Sequence, residues 1–341
     1  MLESVLKRDT EHIGANHYYV HAIEAPPHPE RALASAERLK TLAPAAGHVV
    51  HMPAHIYERV GYFGDAISAN EAGASADRNY LQSTGQQGSI YGLMYYSHNP
   101  HFLAIAASME GNYGKARAAA DQLIANVSPA VKQVPMLEWF LPVPAFVMVR
   151  FGRWGDIAKL PEPDASLTVD RAMWNYARGA AFAAQGKMEQ AGAERSRLAA
   201  AVSRQPADAM YGFNPARKVL EIALQAADAR LAAARGDRKS TLEHWRAAVS
   251  AQDALAYDEP ADWYYPVRES LGAALFDDAQ YAEAEKVFRA DLESNPRNPR
   301  SLFGLRETLK SEGKTADAEW VSAQFESTWK GADVQLRMGD L

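Results

Sequence analysis

The feature that most constrains this chain is a turn signal that keeps returning in one form. A small residue, usually glycine, is followed two places on by an aromatic or similar side chain and five places on by a small packing residue. The matches are Gly61-Phe63-Ala66, Gly111-Tyr113-Ala116, Gly152-Trp154-Ile157, Gly186-Met188-Ala191, Gly236-Arg238-Thr241, Ala279-Tyr281-Ala284 and Gly313-Thr315-Ala318, with a proline version at Pro27-Pro29-Ala32. Each lies between stretches of helical apolar spacing. Each therefore reads as the turn of an αα-hairpin whose first helix ends at the glycine. No run alternates as a strand does, and the Val-rich AFVMVRF falls inside a hairpin frame.

The packing residues are separated by 34, 50, 41, 34, 50, 43 and 34 residues. A recurring 34 is the tetratricopeptide period, and the 34-50-41 cadence nearly repeats. A second small residue stands twelve before the packing residue at Ala54, Ala104, Ala145, Gly179, Ala229 and Gly272, where it lets two helices approach closely. The expectation is an all-α, tetratricopeptide-like right-handed α-solenoid of about eight helix pairs. Its expected divisions are a helix remnant at 1–12, a His-rich region at 13–127, an apolar pair interrupted by Pro142 and Pro144 at 128–170, and further repeats at 171–341.

This grammar resembles the tetratricopeptide-repeat superfamily over nearly the whole chain. The phrases HYYVHAIE, GHVVHMPAHIYERVGYF and SHNPHFLAIAASMEG are similar to those of a group of bacterial tetratricopeptide proteins. In that group more repeat lies N-terminal and an export signal often begins the chain. The start here, MLESVLKRDTEH, shows neither and reads like the interior of an array. The resemblance implies the fold and leaves the compartment open, between a soluble protein and one exported in a longer native form.

Histidine is where the chain departs from an ordinary array. Nine of its ten histidines lie within the first 101 residues. Counted back from the packing residues, His17 and His51 are at −15, His21 and His55 at −11, and Glu24 and Glu58 at −8. In the third hairpin His101 is at −15, and His48 and His98 stand at −18. Steps of 3 and 4 put these positions on one face of a first helix, turned away from the packing seam and toward the concave groove. Residues 17 to 101 are therefore expected to meet in space.

Neutral imidazole is a common ligand for copper, iron and zinc, and a His-x3-His pair on one helix offers two nitrogens to one ion. Metal ligands are expected at His17, His21, His51, His55, His98 and His101, with His48 in a supporting role. Glu24 and Glu58 are candidate catalytic carboxylates, as bridge or general base. Six histidines suit one or two transition-metal ions (copper, iron or zinc). The sequence contains no cysteine, which removes thiolate sites. The plainer alternative is a set of groove-lining or carbonyl-bonded histidines. His12, His28 and His244 read as structural or solvated.

For a substrate, Trp139 and Phe146 occupy at −18 and −11 in the fourth hairpin the slots that hold histidine earlier. They are candidate apolar walls, with Tyr95 and Arg59 as further contacts. Phosphate-loop, dinucleotide, HExxH and GxSxG motifs are all missing. A net charge of −6 without a basic run argues against nucleic acid, and no apolar run is long enough to enter a membrane. Two readings remain open: a metalloenzyme, oxidative at copper or iron or hydrolytic at zinc, acting on a small molecule; or a scaffold holding a peptide or protein, with structural metal or none.

Overall fold

The computed structural model describes residues 1–341. Helices account for nearly all of the regular structure, and the chain divides into two compact units.

The first unit comprises Met1–Leu137 together with Asn295–Asn298 and Thr328–Val334. It contains α1 (Leu2–Leu6), α2 (Ile13–Glu24), α3 (Leu33–Leu42), α4 (Gly47–His51), α5 (Pro53–Arg59), α6 (Phe63–Thr84), α7 (Tyr96–Glu110) and α8 (Tyr113–Val127). The hairpins are α2 with α3, the pair α4–α5 with α6, and α7 with α8. Helices α4 and α5 are one helix nicked at Met52, because Pro53 supplies no N–H. The 22-residue α6 and the segment after it account for the first long interval of 50 residues. Leu2 and Leu6 of α1 pack on a core that includes Tyr19, Val20, Leu39, Met52 and Ile56.

The second unit comprises Glu138–Ser294, Pro299–Ser327 and Gln335–Leu341. Its helices are α9 (Val143–Arg150), α10 (Trp154–Ile157), α11 (Thr168–Ala184), α12 (Met188–Arg204), α13 (Ala216–Ala234), α14 (Arg238–Asp253), α15 (Val267–Asp277), α16 (Tyr281–Ser294), α17 (Pro299–Ser311) and α18 (Thr315–Thr328). They pair in sequence, which brings the hairpins to eight. The one sheet is a two-residue antiparallel ladder, β1 (Met210–Tyr211) on β2 (Asn214–Pro215), inserted in the second interval of 50 residues.

The turn residues behave as their chemistry requires. Six first helices end in glycine at positive φ, from +61° at Gly152 to +88° at Gly111. The alanine version, Ala279, adopts φ 55°, a conformation an L side chain enters at some cost. The packing residues are buried throughout: Ala32, Ala66, Ala116, Ile157, Ala191 and Ala284 are fully inaccessible, and Thr241 and Ala318 nearly so. A larger side chain at any of these would have to push two helices apart.

Candidate metal centre

Six of the histidines come from the three hairpins of the first unit and converge as two groups of three. His17 and His21 of α2 meet His48 of α4, and His51 of α4 and His55 of α5 meet His98 of α7. Within each group one nitrogen from every ring lies within 4.8 Å of the others. The groups follow one rule: the −15 and −11 histidines of one hairpin join the −18 histidine of the next. The rule stops after two steps. A third group would need His101, residue 105 and residue 139, and the last two are Ile105 and Trp139.

That rule moves two residues from their expected places. His48 stands in the first group as a full member, and His101 belongs to neither. His101 is buried, and burial pulls its imidazole down to about 3. The grouping pairs −15 and −11 of one first helix with −18 of the next. Equal positions in sequence are therefore not level in space, and a diagonal set meets where a horizontal stripe was expected.

The inner group shows most clearly what the cluster demands. His51 Nδ1 lies 2.7 Å from Asn70 Oδ1, and the Asn70 amide nitrogen donates to the Ala66 carbonyl at 2.8 Å. Asn70 thus turns its oxygen to the ring, and His51 Nδ1 carries the proton. His55 Nδ1 lies 2.7 Å from Glu24 Oε2, at ion-pair distance but without hydrogen-bond alignment, and a carboxylate there favours the ring form with its proton on Nδ1. In that ring form both Nε2 atoms present lone pairs, and they stand 2.8 Å apart. His98 Nε2 approaches His55 Nε2 at 3.4 Å. Nitrogens bound tetrahedrally to one ion at 2.0–2.1 Å lie about 3.3 Å apart. Phe102 closes the group from below, its ring centroid 4.9–5.4 Å from those of His51, His55 and His98.

In the outer group His17 Nε2 and His48 Nε2 are 3.1 Å apart. His21 Nδ1 lies 3.1 Å from Glu24 Oε1. One carboxylate thus holds a ring of each group by its Nδ1, leaving both Nε2 atoms free to ligate. This is the carboxylate–histidine arrangement that orients metal ligands. Burial alone would raise the Glu24 carboxyl, but the bonds from His21 and His55 outweigh it and hold it at about 2. Glu24 also offers a third ligand set with His21 and His55.

Every resolved imidazole shift in the cluster is downward. Burial is the largest cause at His17, His48, His51, His55 and His98, and neighbouring histidines add to it. His48 falls to about 4. Neutral rings are the form that binds a metal.

The two groups differ in access. His51 is wholly buried and His55 nearly so. His17, His21 and His48 are partly exposed, and His21 keeps 37% of its side chain accessible. Tyr95, half exposed, stands beside His48 with its ring 5.4 Å away and stacks on Tyr91. Tyr91 in turn donates to Asp77 at 2.6 Å. Arg59 Nε donates to the Glu24 carbonyl at 2.9 Å and ties α5 to the end of α2. Glu58 joins none of the ligand groups, and its buried Oε2 has no hydrogen-bond partner. Burial pushes its carboxyl up to about 8.

Trp139 and Phe146 belong to the second unit. Trp139 Nε1 donates to Asp262 at 2.8 Å. Phe146 packs among Tyr176, Trp263, Tyr264 and Tyr265. His12 caps α2 by accepting from Ala15, His28 contacts Glu30 on the surface, and His244 contacts Gln225.

Sequence reasoning missed Asn70, Phe102 and the pair Gly47 and Gly73. A Cβ on Gly73 would stand 2.9 Å from the His51 Cβ, and one on Gly47 would stand 2.1 Å from Asp77 Oδ1. These glycines let α4 lie against α6 closely enough for His51 to reach Asn70. A glycine in the interior of a long helix costs about 1 kcal/mol relative to alanine, and that cost at Gly73 was the available signal.

No family model matches the sequence, and no curated protein matches it. The chain is similar to the solved structure of yeast Tom70, at 10% identity and a TM-score of 0.31 over 98% of this chain and 88% of that one. It is also similar to the structure of Naa15/Naa10 bound to HypK-THB, at 16% identity and a TM-score of 0.25 over 96% and 60%. The chain is a tetratricopeptide-like helical array. Its own eight hairpins, with their buried packing residues and left-handed turn residues, carry that assignment. No helix of this tetratricopeptide-like chain is long and apolar enough to cross a membrane.

Proposed function

We propose that the first unit is a transition-metal centre of two three-histidine sites, and that the protein is a metalloenzyme acting on a small organic molecule at the outer one. The observation that carries this reading is the approach of His51 Nε2 and His55 Nε2 to 2.8 Å, with acceptor oxygens of Asn70 and Glu24 beside the two Nδ1 atoms that favour protons on the far side of each ring. Two lone pairs held that close repel unless a cation lies against both. Asn70, Glu24 and Phe102 hold them there.

The donor set is all nitrogen, with the one nearby carboxylate engaged in orienting rings. That favours copper over iron, and zinc next to it. His51, His55 and His98 would hold the inner ion and His17, His21 and His48 the outer. A bound copper would supply one-electron chemistry. The chain's own contribution is to keep the imidazoles neutral, fix which nitrogen of each ring faces inward, and keep water from the inner site behind Phe102. The partial exposure of the outer group supports an open coordination position there, as a catalytic site requires. Tyr95 flanks that opening. Glu24 acts as an orienting group and Glu58 remains a candidate base.

The burial of His51 and His55 favours a second reading, a structural zinc inside a scaffold that binds a peptide. The readings separate on stoichiometry and redox behaviour. Untagged protein reconstituted with copper and passed over a desalting column is expected to hold two ions per chain, and His51→Ala/His98→Ala one. Oxygen uptake in the presence of ascorbate is expected to follow copper content. Substoichiometric metal in the parent protein would remove the centre. Two tightly held zinc ions, with no copper bound and no oxygen uptake, would select the scaffold.

A further inference from the structure

Among the buried and partly buried arginines of the second unit, Arg230 alone makes no hydrogen bond and no ion pair. Arg150 is paired with Glu269, Arg178 with Glu194 and Arg195 with Asp228. Arg300 donates to the carbonyls of Asp340 and Arg150. Arg230, on α13, has a buried Nε without an acceptor. Its guanidinium lies instead near two indoles, 5.8 Å from the Trp154 ring centroid and 5.6 Å from that of Trp245. Cation–π contacts hold a guanidinium in place while leaving its N–H groups free.

The same arginine lines a cleft of about 310 Å³, the lower end of the range for small-molecule sites. Ala233, Ala273, Met338 and Trp245 give the cleft an apolar wall. Charged side chains of both signs line it, Arg230 and Arg238 against Asp277 and Asp278, and of these Arg230 is the one without an ion pair on the cationic side. Burial, with Arg150 and Arg230 adding to it, pushes the Arg300 guanidinium down to about 9. Glu269, paired with Arg150, and Asp340 act against this. At the mouth Arg238 pairs with Asp278 at 3.3 Å, and Asp277 adds one further negative charge.

We propose that this cleft binds a small organic monocarboxylate, its two oxygens received by the Arg230 guanidinium and its apolar body lying against Trp245, Ala273 and Met338. A guanidinium with free N–H groups matches a carboxylate in bidentate fashion. Asp277 at the mouth works against a doubly charged phosphate, and the apolar wall offers a bare inorganic ion nothing. This site is independent of the histidine centre and stands or falls without it.

The test uses the full chain with phenylacetate and hexanoate as probes and inorganic phosphate as comparator, followed by saturation-transfer NMR and tryptophan fluorescence. At least one of the two carboxylates is expected to bind saturably, at least about tenfold more tightly than phosphate. Arg230→Met is expected to weaken that binding by about tenfold or more, with metal content unchanged. Ala273→Phe fills the cleft while keeping the charge and is expected to abolish binding, which decides the matter if Arg230→Met does not fold. Failure of both carboxylates to saturate, phosphate binding as tightly as either, or undiminished binding in the variants would overturn the site.

Discussion

Glu24 accepts from His21 on one carboxylate oxygen, at 3.1 Å, and meets His55 on the other, at 2.7 Å. A single side chain therefore sets the tautomer of one ring in each histidine group. Glutamine in its place has one acceptor oxygen and one amide donor. The amide would face one Nδ1 and select the ring form whose proton sits on Nε2, inside the ligand group. Glu24→Gln is thus expected to lower the metal stoichiometry from two to one, with the chain still folded. Long-range nitrogen NMR of the histidine rings would show one ring changing tautomer. Two ions bound as tightly as in the parent protein would remove the orienting role of Glu24.

Gly73 decides whether α4 can lie against α6. A methyl group there would stand 2.9 Å from the His51 Cβ and 3.0 Å from the Gly47 carbonyl oxygen, closer than helices tolerate without moving. Overpacking of this kind costs about 1–3 kcal/mol, and its displacement falls on His51. In Gly73→Ala the inner ion is expected to be lost or weakened by at least about tenfold. The outer ion, which takes only His48 from α4 and His17 and His21 from α2, is expected to be weakened less. Uniform loss of both ions, or of neither, would contradict the local role of this glycine.

Much of this arrangement was legible in the sequence, for a physical reason. A turn that must enter the left-handed region and a helix crossing that must be narrow each admit few residue types, so both leave marks at fixed spacing. All eight packing residues and the left-handed turn residues follow from that. Face assignment within a helix is equally local, and it brought His17, His21, His51 and His55 to one side. Level is not local. Whether His48, His98 or His101 stands opposite a given pair depends on the axial offset between hairpins, which no spacing within one repeat records. The same limit hid Asn70, which reaches His51 across a helix crossing, and Phe102, whose side chain closes a site formed by two hairpins.

Glu58 supplies a pH dependence of definite sign. Burial pushes its carboxyl up to about 8 from an ordinary value of 4.5. Between those values the folded chain holds a proton that the unfolded chain has released. Stability from this group is therefore present at low pH and is lost as pH rises toward 8. The effect is on the order of a few kcal/mol. Asp170 and Asp262, each raised to about 7 by burial, act in the same direction, so the comparison must be with Glu58→Gln. Metal-free parent protein is expected to lose melting temperature between pH 6.5 and 8.5, and Glu58→Gln to lose distinctly less. Parallel curves would show that the carboxyl is ionised in the folded state. A pH-dependent activity unchanged in this variant would also end its candidacy as a base.

The N-terminus of α8 is capped by two side chains far apart in the sequence. Asn112 Oδ1 accepts from the Lys115 amide at 3.0 Å. Asp333, more than two hundred residues on, accepts from the amides of Tyr113 and Gly114 at 2.7 Å each. A helix start leaves four amides without intrahelical partners, and these two side chains satisfy three of them. The Asp333 charge also opposes the positive end of the helix. Removing such a cap costs about 1 kcal/mol, within a range of about 0.5–2. Asp333→Ala is expected to lower stability by that amount in urea melts. Asp333→Asn, which keeps one acceptor, is expected to lose about half. Neither change touches the histidines, so metal content should stay at the parent value. A melt indistinguishable from the parent in Asp333→Ala would mean that water replaces the carboxylate without loss and that the segment Thr328–Val334 contributes nothing to the first unit through this contact.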